Sequence, residues 1–241
     1  MQPLLYGALV PWYRLLDPSE DHRDEANAIA QAIEGAAAGR PQNLLELGAG
    51  AGNNALHLKR RFHCTLTDLA EPMLGLSRAL NPECEHHVGD MRSARLGRSF
   101  DAVLVHDAIM YMTSQPDLRA AVETAFVHTR PGGAALFVPD CVRETFREDS
   151  ALHTGDDGAR SLRCLEWTWD PDPADATYTV EYAFLLRDGA AMTAVYDRHI
   201  EGLFARATWL GVLSEVGYEI VSAERPLADG EMGEVFVCRR P

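Results

Sequence analysis

LLELGAGAGNNAL, residues 44–56, passes from a short apolar run into a cluster of glycines and then into a helix-forming segment. The run at 44–47 reads as a buried strand, and a helix is expected from about Asn54 to Arg61. In open α/β sheets, the turn after the first strand is where a nucleotide-like ligand sits, because glycine lets the backbone approach it closely. A glycine-rich turn alone also fits a plain tight connection or a dinucleotide site. Glu46, inside the strand, is a buried carboxylate in need of a partner, which a helix N-terminus or a cationic ligand group would supply. Asp68 closes the next strand, 18 residues beyond Gly50, where a carboxylate can accept both hydroxyls of a ribose. Asp90, in Gly89-Asp90-Met91, closes a third strand and is placed to accept from an adenine amino group.

Working outward, strands at 64–67, 86–88, 100–106 and 134–138 alternate with helices at 71–79 and 116–128. This alternation predicts a doubly wound, mostly parallel sheet covered on both faces. Residues 1–40 read as a helical segment, with Ala26, Ile29, Ala30 and Ile33 on one face. After Pro139 the pattern changes. Strands at 161–169, 177–186 and 192–199, joined by Asp-Pro and Asp-Gly turns, predict an antiparallel β cap over residues 160–202. Trp167 and Trp169 share one face of it, expected to close onto the main domain. A helix at 206–216 and strands at 219–222 and 234–238 complete a single domain with one insertion.

Composition narrows the function. The 241 residues carry a formal charge of −14, which repels phosphate backbones and argues against nucleic acid; a small-molecule partner is expected. No apolar run is long enough to span a membrane, and the N-terminal stretch lacks a signal-peptide pattern, so a cytoplasmic protein is expected. The five cysteines stand singly, and His86 and His87 point to opposite faces of a strand; no metal site is expected. A homodimer through the cap strands is allowed, although no feature requires it.

Taken together, E-x-G-x-G-x-G at 46–52, Asp68, Gly89-Asp90 and FDAVLVHDA at 100–108 resemble motifs I to IV of the class I S-adenosylmethionine-dependent methyltransferases. The resemblance implies a seven-stranded sheet and S-adenosylmethionine as cofactor. It implies Gly48, Ala49 and Gly50 against the methionine moiety and Asp68 on the ribose. Leu69 and Met73 would flank the adenine, Asp90 and Met91 would close its edge, and His106 would sit beside the sulfonium. Met73 also suits core packing.

YRLLDPSEDHRDEA, GDMRSARLGRSFDAV and DRHIEGLF are similar to segments of bacterial sugar-amine N-methyltransferases. That likeness implies Tyr13 and His22 at the border of the active site and His199 reaching it from the cap; His22 alone reads as a surface histidine. Tyr111 fits a wall of the substrate site, and Tyr6 and Trp12 read as anchors of the N-terminal segment. The expected reaction is N-methylation of a small-molecule amine, such as an amino-sugar nucleotide. O-methylation would need a general base, with His106, His199 or Asp107 as candidates and Tyr13 as a further catalytic group. A nicotinamide-dependent oxidoreductase is disfavoured, since the third glycine of its motif and a Tyr-x-x-x-Lys pair are missing. A cofactor-binding protein without turnover would share the same motifs.

Overall fold

The glycine-bearing stretch lies at the centre of a seven-stranded sheet in a computed structural model that describes residues 3–226 and 232–241. In chain order the strands are β1 (Asn43–Leu47), β2 (His63–Asp68), β3 (Glu85–Val88), β4 (Phe100–His106) and β5 (Thr129–Val138). Next come β6 (Asp149–Asp156), β7 (Arg160–Trp169), β8 (Thr177–Asp188) and β9 (Ala191–Gly202), then β10 (Glu219–Pro226) and β11 (Met232–Arg239). The main sheet has the order β10-β11-β5-β4-β1-β2-β3. Its first five strands in sequence pair in parallel, and β11 runs antiparallel to both β5 and β10. This is the doubly wound fold expected from the alternation of apolar runs.

Six helices accompany the strands among the described residues: α1 (Tyr13–Leu16), α2 (Arg23–Ala36), α3 (Asn53–Leu58), α4 (Glu71–Leu80), α5 (Gln115–His128) and α6 (Arg206–Val216). Alternation along the buried strands sends Leu44, Leu66, Leu104 and Leu136 toward α2 and α3. The intervening Leu45, Val103, Val105 and Phe137 face α5 and α6. Ala26, Ile29, Ala30 and Ile33 are buried on α2, the face its periodicity predicts. The segment before α2 differs from the helix expected there. Pro3, Pro11 and Pro18 interrupt it, since proline cannot donate within a helix, and leave single turns at Leu4–Tyr6, Val10–Trp12, Tyr13–Leu16 and Ser19–His22.

The second sheet is β6-β7-β8-β9, all antiparallel. It begins at Asp149, one strand earlier than the sequence pattern suggested; β6 is polar and partly exposed along its length, so no apolar run marks it. Its inner face packs Leu162, Cys164, Phe184 and Leu186 on Leu5 and Leu9. Two close backbone approaches dock it. A Cβ at Gly155 would lie 2.0 Å from the Leu15 carbonyl oxygen, and one at Gly202 would lie 2.2 Å from that of Met112. Trp167 and Trp169, expected to close the cap onto the domain, lie on the outer face, 59% and 37% exposed. The register decides this: Leu162 and Cys164 take the inner positions, so the odd-numbered residues of β7 turn outward.

Phe137 is fully buried between β4, β11 and Tyr218. Phe137→Ala is expected to cost about 3–5 kcal/mol in denaturant unfolding. Val127→Ala, on the exposed face of α5, should change stability by less than about 0.5 kcal/mol.

Candidate active site

Strand order reverses at β1, which has β2 on one side and β4 on the other, so a crevice opens at the carboxyl ends of β1 and β4. The glycine turn fills one side of it. Gly48 has a φ of +78°, and a Cβ there would sit 2.4 Å from the Ala108 Cβ and 2.9 Å from the Met91 Cε, so no other residue fits. The Gly48 and Ala49 N–H groups both donate to the Thr67 carbonyl at 2.8 Å, tying the turn to the end of β2.

Asp68 completes that tie. Its Oδ2 accepts from the Gly50 N–H at 2.8 Å and its Oδ1 from the Ala70 N–H at 2.7 Å. Burial raises its pKa despite these bonds. Each oxygen keeps a second lone pair, the capacity a ribose diol would use. Leu69 beside it is 63% exposed, an apolar side chain held out at the crevice rim, while Met73 is buried against Val10, Ala51 and Ala70. Met91 is nearly buried below Gly48. The Asp90 carboxylate is engaged by Arg92, at 2.6 Å from Nη2, and is held below its usual range by that guanidinium.

Glu46 lies on the α2 side of β1, and its Oε2 is a buried acceptor without a hydrogen-bond partner in the protein. Burial pushes its carboxyl up to about 8, against a smaller opposing effect of His106. An orphaned buried carboxyl behind a turn that admits close approach fits a ligand with a cationic amino end and a nucleoside end. His106, at the end of β4, lies 2.9 Å from Glu25 and 3.0 Å from Asp107. Burial opposes its charge, but Asp107 and Glu25 outweigh burial and hold the imidazole well above its ordinary pKa.

The N-terminal turns close the crevice from above. The Tyr13 hydroxyl donates to Asp17 Oδ2 at 2.9 Å, Asn53 Nδ2 donates to the same oxygen at 2.8 Å, and His22 Nε2 meets Oδ1 at 2.7 Å. His22 is therefore no surface histidine: its side chain is 19% exposed, and Asp17 and Glu25 raise it to about 10.

On the cap side, the Tyr111 hydroxyl bridges the Tyr6 hydroxyl at 2.8 Å and His199 Nδ1 at 2.7 Å. Tyr178 donates to Glu201, whose carboxyl burial pushes up to about 7. Asp107 and Asp140 have their carboxyls in mutual contact between these groups. The Asp107 side chain is 57% exposed. A separate cavity of about 570 Å³, lined by Lys59, Glu85 and Arg98 among others, lies at the amino-terminal ends of the strands, away from the glycine turn.

Comparison with known proteins places this geometry. A methyltransferase-domain profile matches residues 44–133. The chain is 33% identical over 210 residues to the dTDP-3-amino-3,4,6-trideoxy-alpha-D-glucopyranose N,N-dimethyltransferase of Streptomyces venezuelae, covering 85% of this chain and 86% of that one. The chain belongs to the class I S-adenosylmethionine-dependent methyltransferases. Its fold superposes on the crystal structure of Streptomyces venezuelae DesVI with a TM-score of 0.85 at 25% identity, over 97% of this chain and 98% of that one. It superposes over 100% of both chains, at a TM-score of 0.81 and 25% identity, on an S-adenosylmethionine-bound amino pentose methyltransferase from Micromonospora echinaspora.

In this methyltransferase the crevice brings together Glu46, Gly48, Ala49, Gly50, Asp68, Met91 and His106, while Tyr13 approaches it from the N-terminal segment, Tyr111 from the turn after β4 and His199 from the cap. Sequence reasoning missed Asp17, Asn53, Asp140, Tyr178 and Glu201 and read Tyr6 as an anchor. Only the fold brings these together; Leu5 and Asp197, for example, are 192 positions apart yet hydrogen bonded.

The Glu46 shift gives a pH prediction for the methyltransferase. Its folded pKa of about 8 lies above the ordinary 4.5, so the folded state binds the proton more tightly. Its contribution to stability is full below about pH 4.5 and declines up to about pH 8. Glu46→Gln should flatten this decline in the ligand-free protein, measured as Tm against pH, while weakening cofactor affinity in calorimetry.

Proposed function

We propose that this methyltransferase transfers methyl groups to the amino group of a nucleotide-linked deoxysugar, giving an N,N-dimethylated product. The carrying observation is the acidic, hydroxyl-rich wall of the crevice: Asp107, Asp140 and Glu201 with Tyr6, Tyr111 and Tyr178. An amine of ordinary basicity arrives as a cation, which such a wall attracts, and sugar hydroxyls find partners there. The named activity of the Streptomyces venezuelae relative supports the same substrate class. The free thiols of all five cysteines fit a reducing cytoplasm.

S-adenosylmethionine, when bound, supplies a methyl group on a sulfonium that needs no further activation. The residues that would hold it are Glu46, Gly48, Ala49 and Gly50 at the methionine end and Asp68 at the ribose. Leu69, Met73, Asp90 and Met91 would surround the adenine, with Arg92 sharing the Asp90 carboxylate. What remains for the protein is to align the acceptor, exclude water and dispose of a proton. His106, held charged by Asp107 and Glu25, has no lone pair to take that proton, so it serves to fix the end of β4 rather than as a base. Tyr13, Tyr111 and His199 bound the acceptor side.

Calorimetry with S-adenosylhomocysteine and with NAD tests the cofactor reading: micromolar binding of the thioether, lost in Asp68→Ala and absent for NAD, is expected. Mass spectrometry of reactions with nucleotide-linked amino sugars and with phenols then separates N- from O-methylation, and a gain of two methyl groups on nitrogen is expected.

The outer face of the cap supports a homodimer. Leu152, Leu165, Ala183 and Tyr196 form one cross-strand row on it, flanked by Trp167 and Leu185, all exposed. A contiguous apolar surface of this kind marks an interaction site. Two copies of a chain with a charge of −14 repel least where apolar side chains replace carboxylates, so a second copy is the occupant that fits. Leu165→Arg with Trp167→Glu should halve the mass seen in sedimentation without changing cofactor affinity.

A further inference from the structure

We propose that Tyr6, Tyr111, His199 and Asp197 form a directed proton relay that takes the proton from the newly methylated amine and holds it on the buried His199 imidazole. The inference rests on the function proposed above and concerns how that same site disposes of its proton.

Hydrogen-bond bookkeeping sets the direction. The Leu5 N–H can only donate, and it does so to Asp197 Oδ2 at 2.8 Å; Asp197 Oδ1 accepts from the Arg198 N–H at 3.1 Å. The carboxylate is thus an acceptor, so His199 Nε2, 3.2 Å from Oδ2, carries the hydrogen. His199 Nδ1 is then a bare lone pair and takes the Tyr111 hydroxyl proton across 2.7 Å. With its own proton committed to His199, the Tyr111 oxygen is assigned as acceptor from the Tyr6 hydroxyl across 2.8 Å, with the Glu201 carboxyl beside it as a competing partner. The Tyr6 oxygen is left with acceptor capacity alone, so the chain of bonds ends in an acceptor.

Packing places that end at the crevice. Tyr6 contacts both the cluster of Ala51, Ala70 and Met73 behind the glycine turn and the inner face of the cap, and it lies among the charges of Asp107, Asp140 and Glu201. The far end is sealed: His199 is 1% exposed, enclosed by the rings of Tyr182, Tyr6 and Tyr111 with centroids at 4.8, 5.6 and 5.9 Å. Burial holds His199 below its ordinary pKa against the pull of Asp197, which keeps it neutral at physiological pH. The groups facing His199 are Asp197 and Glu201 on its own strand, Tyr182 on β8, Glu166 on β7, and Tyr6 and Tyr111 from the main domain and N-terminal turn.

The step balances. The acceptor nitrogen uses its lone pair to form the N–C bond as the C–S bond breaks, leaving a thioether and an N–H carrying the positive charge. That proton passes to the Tyr6 oxygen as the Tyr6 proton moves to Tyr111 and the Tyr111 proton to His199 Nδ1. The resulting imidazolium is held by Asp197, with Glu201 Oε1 4.0 Å from Nδ1. The nitrogen recovers a lone pair, the requirement for a second methyl transfer.

Two measurements test the relay. In ¹⁵N-histidine spectra of the S-adenosylhomocysteine complex, His199 should show hydrogen on Nε2 and none on Nδ1; the opposite tautomer overturns the direction argued here. Initial rates of each methylation, followed by mass spectrometry from pH 6 to 10, should be shallow in the wild type. In Tyr111→Phe and Tyr6→Phe the rates should rise about tenfold per pH unit toward the amine's own pKa, with kcat at pH 7 down roughly 100-fold and KM unchanged. Both variants remove only a hydroxyl, and a merely structural role would lower the profile without steepening it. Parallel profiles in a wild type that methylates the amine overturn the relay alone. A wild type that binds S-adenosylhomocysteine but methylates no amine overturns the functional reading, and the relay with it.

Discussion

The Asp68 carboxylate is the interaction on which the rest of the site depends. Its two oxygens reach different parts of the chain, the Gly50 N–H in the turn after β1 and the Ala70 N–H before α4. The Thr67 carbonyl, accepting from Gly48 and Ala49, adds a second tie one residue earlier. Together they fix the glycine turn against the end of the neighbouring strand, so the backbone groups that would face a ligand are positioned before it arrives. Pre-ordering of this kind lowers the entropy lost on binding.

Around that rigid turn the protein keeps costly electrostatics. Glu46 is buried with an unsatisfied oxygen, Asp140 and Asp107 crowd each other, and His106 is charged inside the fold between two carboxylates. A structure selected for stability alone would replace such groups with apolar ones. Their concentration within one crevice, while both faces of the main sheet are packed with Leu, Val, Ala and Phe, separates the part of the molecule that folds from the part that acts.

Much of this was legible in the residues. Periodicity located the central strands of the main sheet because they are buried on both faces and read as apolar runs, as 100–106 does. The glycine turn, Asp68 and Asp90 were legible because each must stand at a strand end. Legibility failed where tertiary context decides. Proline spacing broke the N-terminal helix into turns, β6 carries no apolar run, and the register of β7 turned Trp167 and Trp169 outward. The cap side of the crevice is built from an N-terminal turn, the segment after β4, the end of β5 and strands β8 and β9. No local pattern joins Tyr6 to His199.

The two close approaches that dock the second sheet bear on how this architecture diversifies. Gly155 lies against the backbone at Leu15, and Gly202 against that at Met112. Bare backbone meets bare backbone at both points, so neither admits a side chain, while the inner-face residues Leu162, Cys164, Phe184 and Leu186 complete the docking. The two glycines set the height of the sheet above the crevice. A module transplanted between relatives to change the sugar accepted would have to carry both glycines and their two landing sites as a matched set.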